Sequence, residues 1–230
     1  MELGNIHNTY VGRRPTQYCM SAENPRTLGF DYEWEYAPRV GTLFGVFTLV
    51  AVVGWMVTVM LTAIHLYALP AIPADAPVQG SIEVITSQWA YVFGVPLATL
   101  GGFYYLTTIG LAVWWFDSRH PLIIKILTPI TASGVVFSAY FVYLQLGVIG
   151  EICPFCMVSA GATVALFALE LMILSMSSTP SLSDMVSDLG DVIGTTNYPI
   201  VLFPVLIGLV TLGGMFVVPL LPLPPAVPFV

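Results

Sequence analysis

The sequence predicts an all-α integral membrane protein, and two observations carry this prediction. Of the 230 residues, 57% are hydrophobic and only 8% are charged, and a soluble domain of this size cannot bury that much apolar surface. Five apolar segments are each longer than the roughly twenty residues that a helix needs to cross a bilayer. These predicted spans cover residues 40–69, 89–116, 122–148, 152–176 and 198–221.

A polar arm, residues 1–39, precedes the first span. Its last part, residues 30–36, alternates aromatic and acidic side chains with the period of a strand. Two interpretations stay open: an anchor at the membrane interface, where Trp and Tyr are enriched, or a strand that docks on a partner in a larger membrane complex. We expect no secretory signal in the arm, so the first span directs insertion. We expect Cys19 to be a plain free thiol.

The six basic residues predict the orientation in the membrane. With five spans, all of them fall on one side, either ahead of the first span or around the turn between the second and third: Arg13, Arg14, Arg26, Arg39, Arg119 and Lys125. Lys and Arg mark the cytoplasmic side of membrane proteins. We therefore predict a cytoplasmic N-terminus, with the start of the fourth span on the outer side. The net charge of −7 argues against a nucleic-acid partner.

The segments between the spans are short. Three prolines exclude a regular helix from the first half of the outer loop, residues 69–88, and residues 81–87 are predicted to form a short helix over the bundle. Residues 177–197 are predicted to be a cytoplasmic loop. Residues 222–230 are predicted to be a proline-rich outer tail of polyproline type, with no further domain after it.

Cys153 and Cys156, spaced C-x-x-C at the start of the fourth span, are the candidate catalytic residues. Pro154 suits the first position of a helix, which makes Cys153 the N-cap and puts Cys156 on the same face one turn later. A reversible disulfide is then within reach. The helix dipole and the unpaired N–H groups favour a thiolate, whereas Glu151 opposes it. A dithiol of this kind at a membrane surface is predicted to be a redox centre.

Other interpretations of the C-x-x-C pair find less support. A zinc site needs four ligands, and the remaining cysteine, Cys19, lies across the membrane in the predicted topology. A c-type haem needs His after the second cysteine, where Met157 stands. We therefore predict no metal site. Two small buried side chains without chemistry remain an open alternative.

A second motif, in residues 81–96, accompanies the C-x-x-C pair. It carries Thr-Ser, then Trp, then Phe-Gly ahead of the second span. Together the two motifs resemble the vitamin K epoxide reductase family, in its bacterial form, over about residues 40–176. The resemblance implies a four-helix transmembrane bundle, here with a fifth helix, in a bacterial plasma membrane. It also implies a quinone of the menaquinone, ubiquinone or plastoquinone type, bound among the outer ends of the helices.

The resemblance also implies roles for individual residues. Cys156 would face the quinone, and Cys153 would exchange disulfides with an incoming thiol. The further candidates for quinone binding are a hydroxyl, three aromatic pocket walls and a histidine: Ser87, Trp89, Phe93, Phe155 and His65.

Some polar residues have a structural alternative. Ser87 would instead be the N-cap of the second helix, and His65 would instead make an interfacial hydrogen bond. Gln145 is expected to bond between helices, and Glu170 to extend to the cytoplasmic surface.

Two departures from the family pattern leave the function open. The family carries a pair of loop cysteines that relay electrons, whereas residues 68–88 contain none and Ser81 stands where one is expected. We also expect no thioredoxin-like domain after the fifth span, so a donor would be a small thiol or a separate thioredoxin-like protein. It would reach Cys153, expected to be the more exposed thiol. The sequence thus predicts either a membrane thiol–quinone oxidoreductase or a catalytically silent accessory subunit, structural or quinone-channelling, of a larger membrane complex contacted by residues 1–39.

Overall fold

The computed structural model describes residues 35–71, 73, 79–178, 193–194 and 196–217. Five helices in this part of the chain are long and apolar enough to cross a membrane, which confirms the predicted all-α integral membrane protein. In chain order the helices are α1 (Val40–Ala63), α2 (Ser81–Thr86), α3 (Leu97–Ser118), α4 (Leu122–Leu144), α5 (Pro154–Ser175) and α6 (Tyr198–Val217). Wider π-helical turns extend α1 over Ile64–Ala68 and α4 over Gln145–Ile149.

Two short pairs of strands accompany the helices. Strand β1 (Glu35–Tyr36) pairs antiparallel with β4 (Ser177–Ser178), which follows α5. The described end of the polar arm therefore pairs with the backbone of this same chain. The rest of the arm, most of the loop at 177–197 and the tail at 222–230 lie outside the described residues. Docking or anchoring by the arm stays a prediction.

The second span begins later than predicted. The sequence places its start at Trp89, whereas α3 begins at Leu97, after a 3₁₀ turn (Gln88–Ala90) and a hairpin of β2 (Tyr91–Val92) and β3 (Val95–Pro96). Proline lacks an N–H and keeps the preceding residue extended. Pro96 therefore prevents a helix from running through this apolar stretch, and α3 begins directly after it.

Helix α1 lies between α3 and α5, while α4 packs mainly on α5 and α6 on α3. The largest core cluster includes the end of the bundle where α1 begins. There Phe44 stacks on Trp115 of α3 with ring centroids 3.8 Å apart, and both are fully buried. The guanidinium of Arg119 lies 4.4 Å above the same indole, where cation–π attraction adds to packing. The basic residue after α3 is thus held at the end where α1 begins.

Close packing of α1 on α3 depends on Gly54. The ring of Tyr105 occupies the space that a Cβ at this position would fill, so a larger residue would push the helices apart. The Tyr105 hydroxyl crosses to α5 and donates to the carbonyl of Ser159 at 2.6 Å. One side chain therefore fixes three helices at mid-bundle.

Glu170 is placed differently from the expectation that it extends to the surface. Its side chain is only 1% exposed and accepts hydrogen bonds from the hydroxyls of Thr128 and Thr131 on α4. Because it faces α4 and not the lipid, its stem cannot carry the carboxyl to the interface. The two hydroxyls satisfy it inside the bundle and tie α5 to α4.

Helix α6 runs along α3 through small residues. Gly208 lies against Leu106, and Gly110 of α3 lies against Val205. At one end, the hydroxyl of Tyr67 donates to the carbonyl of Met215 at 2.9 Å. The other side of α6 exposes large apolar side chains, as a lipid-facing helix does: Leu202, Phe203, Leu206 and Val210.

Candidate redox site

The two cysteines of the C-x-x-C motif lie at the start of α5. Cys153 has an extended backbone and is the N-cap, with Pro154 at the first helical position. Its sulfur accepts the N–H of Cys156 at 3.3 Å, so the thiol takes the place of an oxygen in an ordinary N-cap. Both thiols are free. The local geometry predicted from Pro154 and the spacing is therefore confirmed.

Cys153 is the more buried of the two cysteines. It is 0% exposed and packs with Leu61 of α1 and with Val84 and Ile85 of α2, whereas Cys156 is only partly buried. The backbone N–H of Cys153 donates to the Gln145 side chain at 2.9 Å. The expectation that Cys153 is the more exposed thiol is wrong, because α2 lies over the beginning of α5.

The environment of Cys153 favours its thiolate. A hydrogen bond from the Cys156 side chain lowers the pKa of Cys153 below its ordinary value of 9.0, while burial acts in the opposite direction. Hydrogen bonds from the Cys156 N–H, the Ser81 side chain and the Phe155 N–H add to the lowering of the pKa. The balance that the sequence leaves open between the helix end and Glu151 thus falls on the side of the thiolate.

A cavity of about 490 Å³ lies between α1, α3, α4 and α5, under α2. Its lining is largely apolar, and Cys156 forms part of the wall. Along α5 the wall continues inward at one helix face with Ser159, Ala160 and Thr163. One thiol of the pair therefore opens on the cavity, while the other is covered by α2.

In a comparison with protein families, the chain matches the vitamin K epoxide reductase family over residues 37–171. These residues make up more than half of the chain and contain both motifs. The chain belongs to the vitamin K epoxide reductase family. The resemblance read from the sequence is confirmed, and with it a general function as a membrane redox protein. Among curated proteins, no match is found.

Three of the five residues predicted to bind a quinone line the cavity of this vitamin K epoxide reductase homologue: His65, Ser87 and Trp89. The Ser87 hydroxyl donates to the carbonyl of Val84 at 2.8 Å, so it closes the end of α2. Its alternative role as N-cap of the second membrane helix is wrong, because α3 begins ten residues later, at Leu97.

His65 connects two elements at the end of the cavity that α2 covers. Its ring nitrogens lie 2.8 Å from the carbonyl oxygen of Leu61 and 2.9 Å from that of Ile85 in α2. A neutral imidazole has one N–H, so only the doubly protonated ring donates to both oxygens. In either state His65 makes the hydrogen bond expected as its alternative role, and it lines the cavity as well.

Phe93 and Phe155 do not line the cavity, contrary to the expectation that both are walls. Phe93 lies in the hairpin turn with a φ of 52°, and this turn directs the ring outward, where it is fully exposed. Phe155 lies in the first turn of α5 and is 41% exposed. Its contribution to the site is its backbone N–H, which faces the Cys153 sulfur.

Hydroxyl groups at the inner part of the cavity are absent from the predicted set. Ser159 and Thr163 follow Cys156 at intervals of three and seven residues, so helix periodicity was a usable signal for them. Tyr104 and Tyr105 of α3 also line the cavity, although of two adjacent helical residues one normally faces away from such a cavity. Nothing in the sequence distinguishes these tyrosines from the others in the spans.

Proposed function

We propose that this protein is a membrane thiol–quinone oxidoreductase in which Cys153 and Cys156 alternate between a dithiol and a disulfide. One observation carries the proposal. Cys156 opens on the cavity, while Cys153, one turn away, has a pKa lowered by the hydrogen bond from Cys156. A reactive pair needs both a thiolate and a path to its oxidant.

The cavity suits a quinone in size and chemistry. Its volume of about 490 Å³ lies within the range of small-molecule sites, and its largely apolar lining is typical of them. Leu100 of α3 and Phe137 of α4 line it, and both side chains are exposed. This supports an opening between α3 and α4 through which an apolar side chain extends into lipid.

In the proposed reaction, the two cysteines supply two electrons and the quinone ring accepts them. A bound quinone takes up two electrons and two protons and becomes the hydroquinone. On the protein side, the Cys153 thiolate and the Cys156 thiol form one S–S bond and release two electrons. The Cys156 S–H bond supplies one proton, and solvent supplies the second, which the Cys153 thiol lost to solvent when it ionised. The Cys153 thiolate is held by N–H groups at the helix start, and the apolar walls around Cys156 exclude water.

The electron donor must act without a cysteine relay, because residues 68–88 contain no cysteine and exchange needs a thiolate that attacks a disulfide sulfur directly. With Cys153 covered by α2, a small thiol or a thioredoxin-like protein reaches it only after Val84 and Ile85 move aside. We therefore propose that displacement of α2 precedes reduction of the pair.

Turnover tests the proposal. Dithiothreitol should drive reduction of a short-chain quinone by the purified protein, and Cys153→Ser should abolish it. Cys156→Ser should instead trap a mixed disulfide between Cys153 and the donor. Cys19→Ser, which removes the third cysteine, is the matched control and should keep full activity.

One observation favours a second candidate, the silent accessory subunit. Cys153 is completely buried, which suits a structural residue as well as a protected thiolate. If the wild-type protein reduces no quinone with any thiol and Cys156→Ser traps no donor, the enzyme proposal fails and the accessory role stands. Extraction in mild detergent as part of a larger complex would support that role.

The site's membrane location is part of the same proposal. We propose a bacterial plasma membrane, a cytoplasmic N-terminus and a C-x-x-C pair on the outer side. A Cβ added to Gly41, at the start of α1, would lie 3.6 Å from the Arg119 guanidinium. The start of α1 and the end of α3 are therefore on the same side. Cys153 lies at the opposite end of α5 from β4. We further propose that residues 40–176 are the redox domain and that the fifth span, 198–221, is an addition to it.

A further inference from the structure

Gln145 is a buried glutamine in the wall of the cavity, and only one half of its side-chain amide is engaged. The side chain is 4% exposed and lines the cavity. Its Oε1 accepts the backbone N–H of Cys153 at 2.9 Å. Because a backbone N–H only donates, the amide oxygen must face Cys153, and the NH₂ group must occupy the other branch of the side chain.

The amide nitrogen of Gln145 is an unused donor that remains accessible. It makes no hydrogen bond with the residues that the structure describes. It is not one of the fully enclosed polar atoms in that part of the chain, of which the Tyr104 hydroxyl is an example, so part of its surface is open. Since the side chain is buried and borders the cavity, that surface faces the cavity. Such a donor costs free energy unless something in the cavity accepts its hydrogen bond.

The backbone holds this amide at the Cys156 end of the cavity. Gln145 begins the π-helical turns after α4, and its own carbonyl accepts the N–H of Gly150 at 2.9 Å where those turns end. Such wide turns often occur at functional sites. From there the side chain reaches Cys153, whose sulfur accepts the N–H of Cys156 at 3.3 Å. The NH₂ group of Gln145 and Cys156 therefore lie at the same end of the cavity.

We infer that Gln145 is a quinone-binding residue, whose Nε2 donates a hydrogen bond to the ligand oxygen nearest Cys156. The inference rests on the proposed function and adds a chemical requirement to it: the ligand carries a carbonyl oxygen on the side of its ring that faces the thiol pair. A neutral donor in an apolar cavity suits a neutral carbonyl, because neither group carries a charge that must lose its hydration. The same donor stabilises the negative charge that this oxygen gains as the ring takes up electrons.

Binding of duroquinone tests the inference, because its fully methylated ring cannot add thiols. The full-length protein is measured in detergent with Cys156→Ala as background, which prevents turnover. Gln145→Glu keeps an oxygen for the Cys153 N–H and changes only the donor, since a protonated carboxyl donates to the quinone whereas a carboxylate only accepts. This variant should bind duroquinone like the background at acidic pH. At alkaline pH it should bind about tenfold more weakly, as loss of one hydrogen bond does.

A second glutamine provides the matched control. Gln88 is exposed and is not part of the cavity wall, so Gln88→Glu should bind duroquinone like the background at every pH. Durene, the same ring without oxygens, should bind equally to all three proteins. Equal duroquinone affinity of the background and Gln145→Glu at alkaline pH would overturn the inference and leave the proposed function standing. A background protein that binds no duroquinone would overturn both.

Nuclear magnetic resonance tests the same contact with Gln145 unchanged, and it decides the matter if Gln145→Glu loses durene binding as well. The chain contains four glutamines, Gln17, Gln79, Gln88 and Gln145. With glutamine labelled by ¹⁵N and the other three replaced by asparagine in the Cys156→Ala background, the remaining side-chain amide signal belongs to Gln145. Duroquinone should move its proton signal downfield, as a hydrogen bond does, and by more than durene does. A shift no larger than that caused by durene would overturn the inference.

Discussion

Cys153 combines complete burial with a stabilised thiolate. Its sulfur accepts the N–H of Cys156 at 3.3 Å and also faces the N–H of Phe155 and the side chain of Ser81. Such hydrogen bonds stabilise the thiolate, as backbone N–H groups at a helix start stabilise other anions. Burial under α2 keeps water and unrelated thiols away. Cys153 therefore favours the thiolate form and is also shielded from solvent and from outside thiols.

The protonation of Cys153 gives a prediction on pH. Its pKa in the folded protein lies below the ordinary value of 9.0, because of several hydrogen bonds, the strongest of them from the Cys156 side chain. The resulting stabilisation is complete above the ordinary value and is lost as the pH falls through the lowered pKa of the folded protein. Ultraviolet titration of thiolate absorbance should show a transition at a pH clearly below the ordinary thiol value of 9.0.

Two variants test whether that transition belongs to Cys153. It should disappear in Cys153→Ser and persist in Cys19→Ser. If it persists in Cys153→Ser, or if the wild-type protein titrates only near the ordinary thiol value, the thiolate assigned to Cys153 is absent.

At this scale, the sequence predicts what depends on neighbours along the chain. Pro154 and the i, i+3 spacing are sufficient to place Cys153 at the N-cap and Cys156 one turn on, as found. Burial depends instead on α2, a tertiary contact, so the order of exposure of the two thiols was predicted the wrong way round. Tyr104 and Tyr105 are adjacent in sequence, and only packing reveals that one hydroxyl is satisfied and the other is not.

Among the elements, α2 and the hairpin after it decide the shape of the site. Helix α2 was predicted over residues 81–87 and is found at Ser81–Thr86. The hairpin of β2 and β3 was missed, because its apolar residues read as the start of a membrane helix. The available signals for it were Pro96 and Gly94, a residue type that tolerates the φ of 80° found there. The result is a cavity wall built partly from a loop, with Trp89 inside and Phe93 outside.

The long helices were predicted best, because a span is defined by length and composition alone. Their interior polar residues were not. Glu170 was expected at the surface, and it is enclosed by Thr128 and Thr131. The three residues lie on different helices, and the register between α4 and α5 that joins them cannot be read from hydrophobicity.

For the whole molecule, the distribution of charge agrees with a single orientation. Arg39 precedes α1, and Arg119 and Lys125 lie at the turn between α3 and α4, while the Cys153 end carries no Lys or Arg among the described residues. Because basic residues stay on the cytoplasmic side, we predict that Cys19 is cytoplasmic. In intact cells an impermeant maleimide should not label it, and labelling should appear after permeabilisation.

A cysteine in the outer loop is the control for this experiment. Gln79 is exposed in the loop before α2, so Gln79→Cys in a Cys19→Ser background should be labelled in intact cells. Labelling of Cys19 from outside, or protection of the new cysteine at position 79, would reverse the topology and place the redox pair on the cytoplasmic side.

The central claim is that quinone oxidises Cys153 and Cys156 to a disulfide. The most direct measurement is the intact mass of the reduced protein before and after excess duroquinone, under non-reducing conditions and with alkylation of the remaining thiols. We predict a product that is lighter by two hydrogens, with the disulfide mapped to the peptide that contains both cysteines and with Cys19 alkylated. Cys153→Ser should give no such product. Wild-type protein in which both thiols of α5 remain reduced and alkylated under excess quinone would contradict the account.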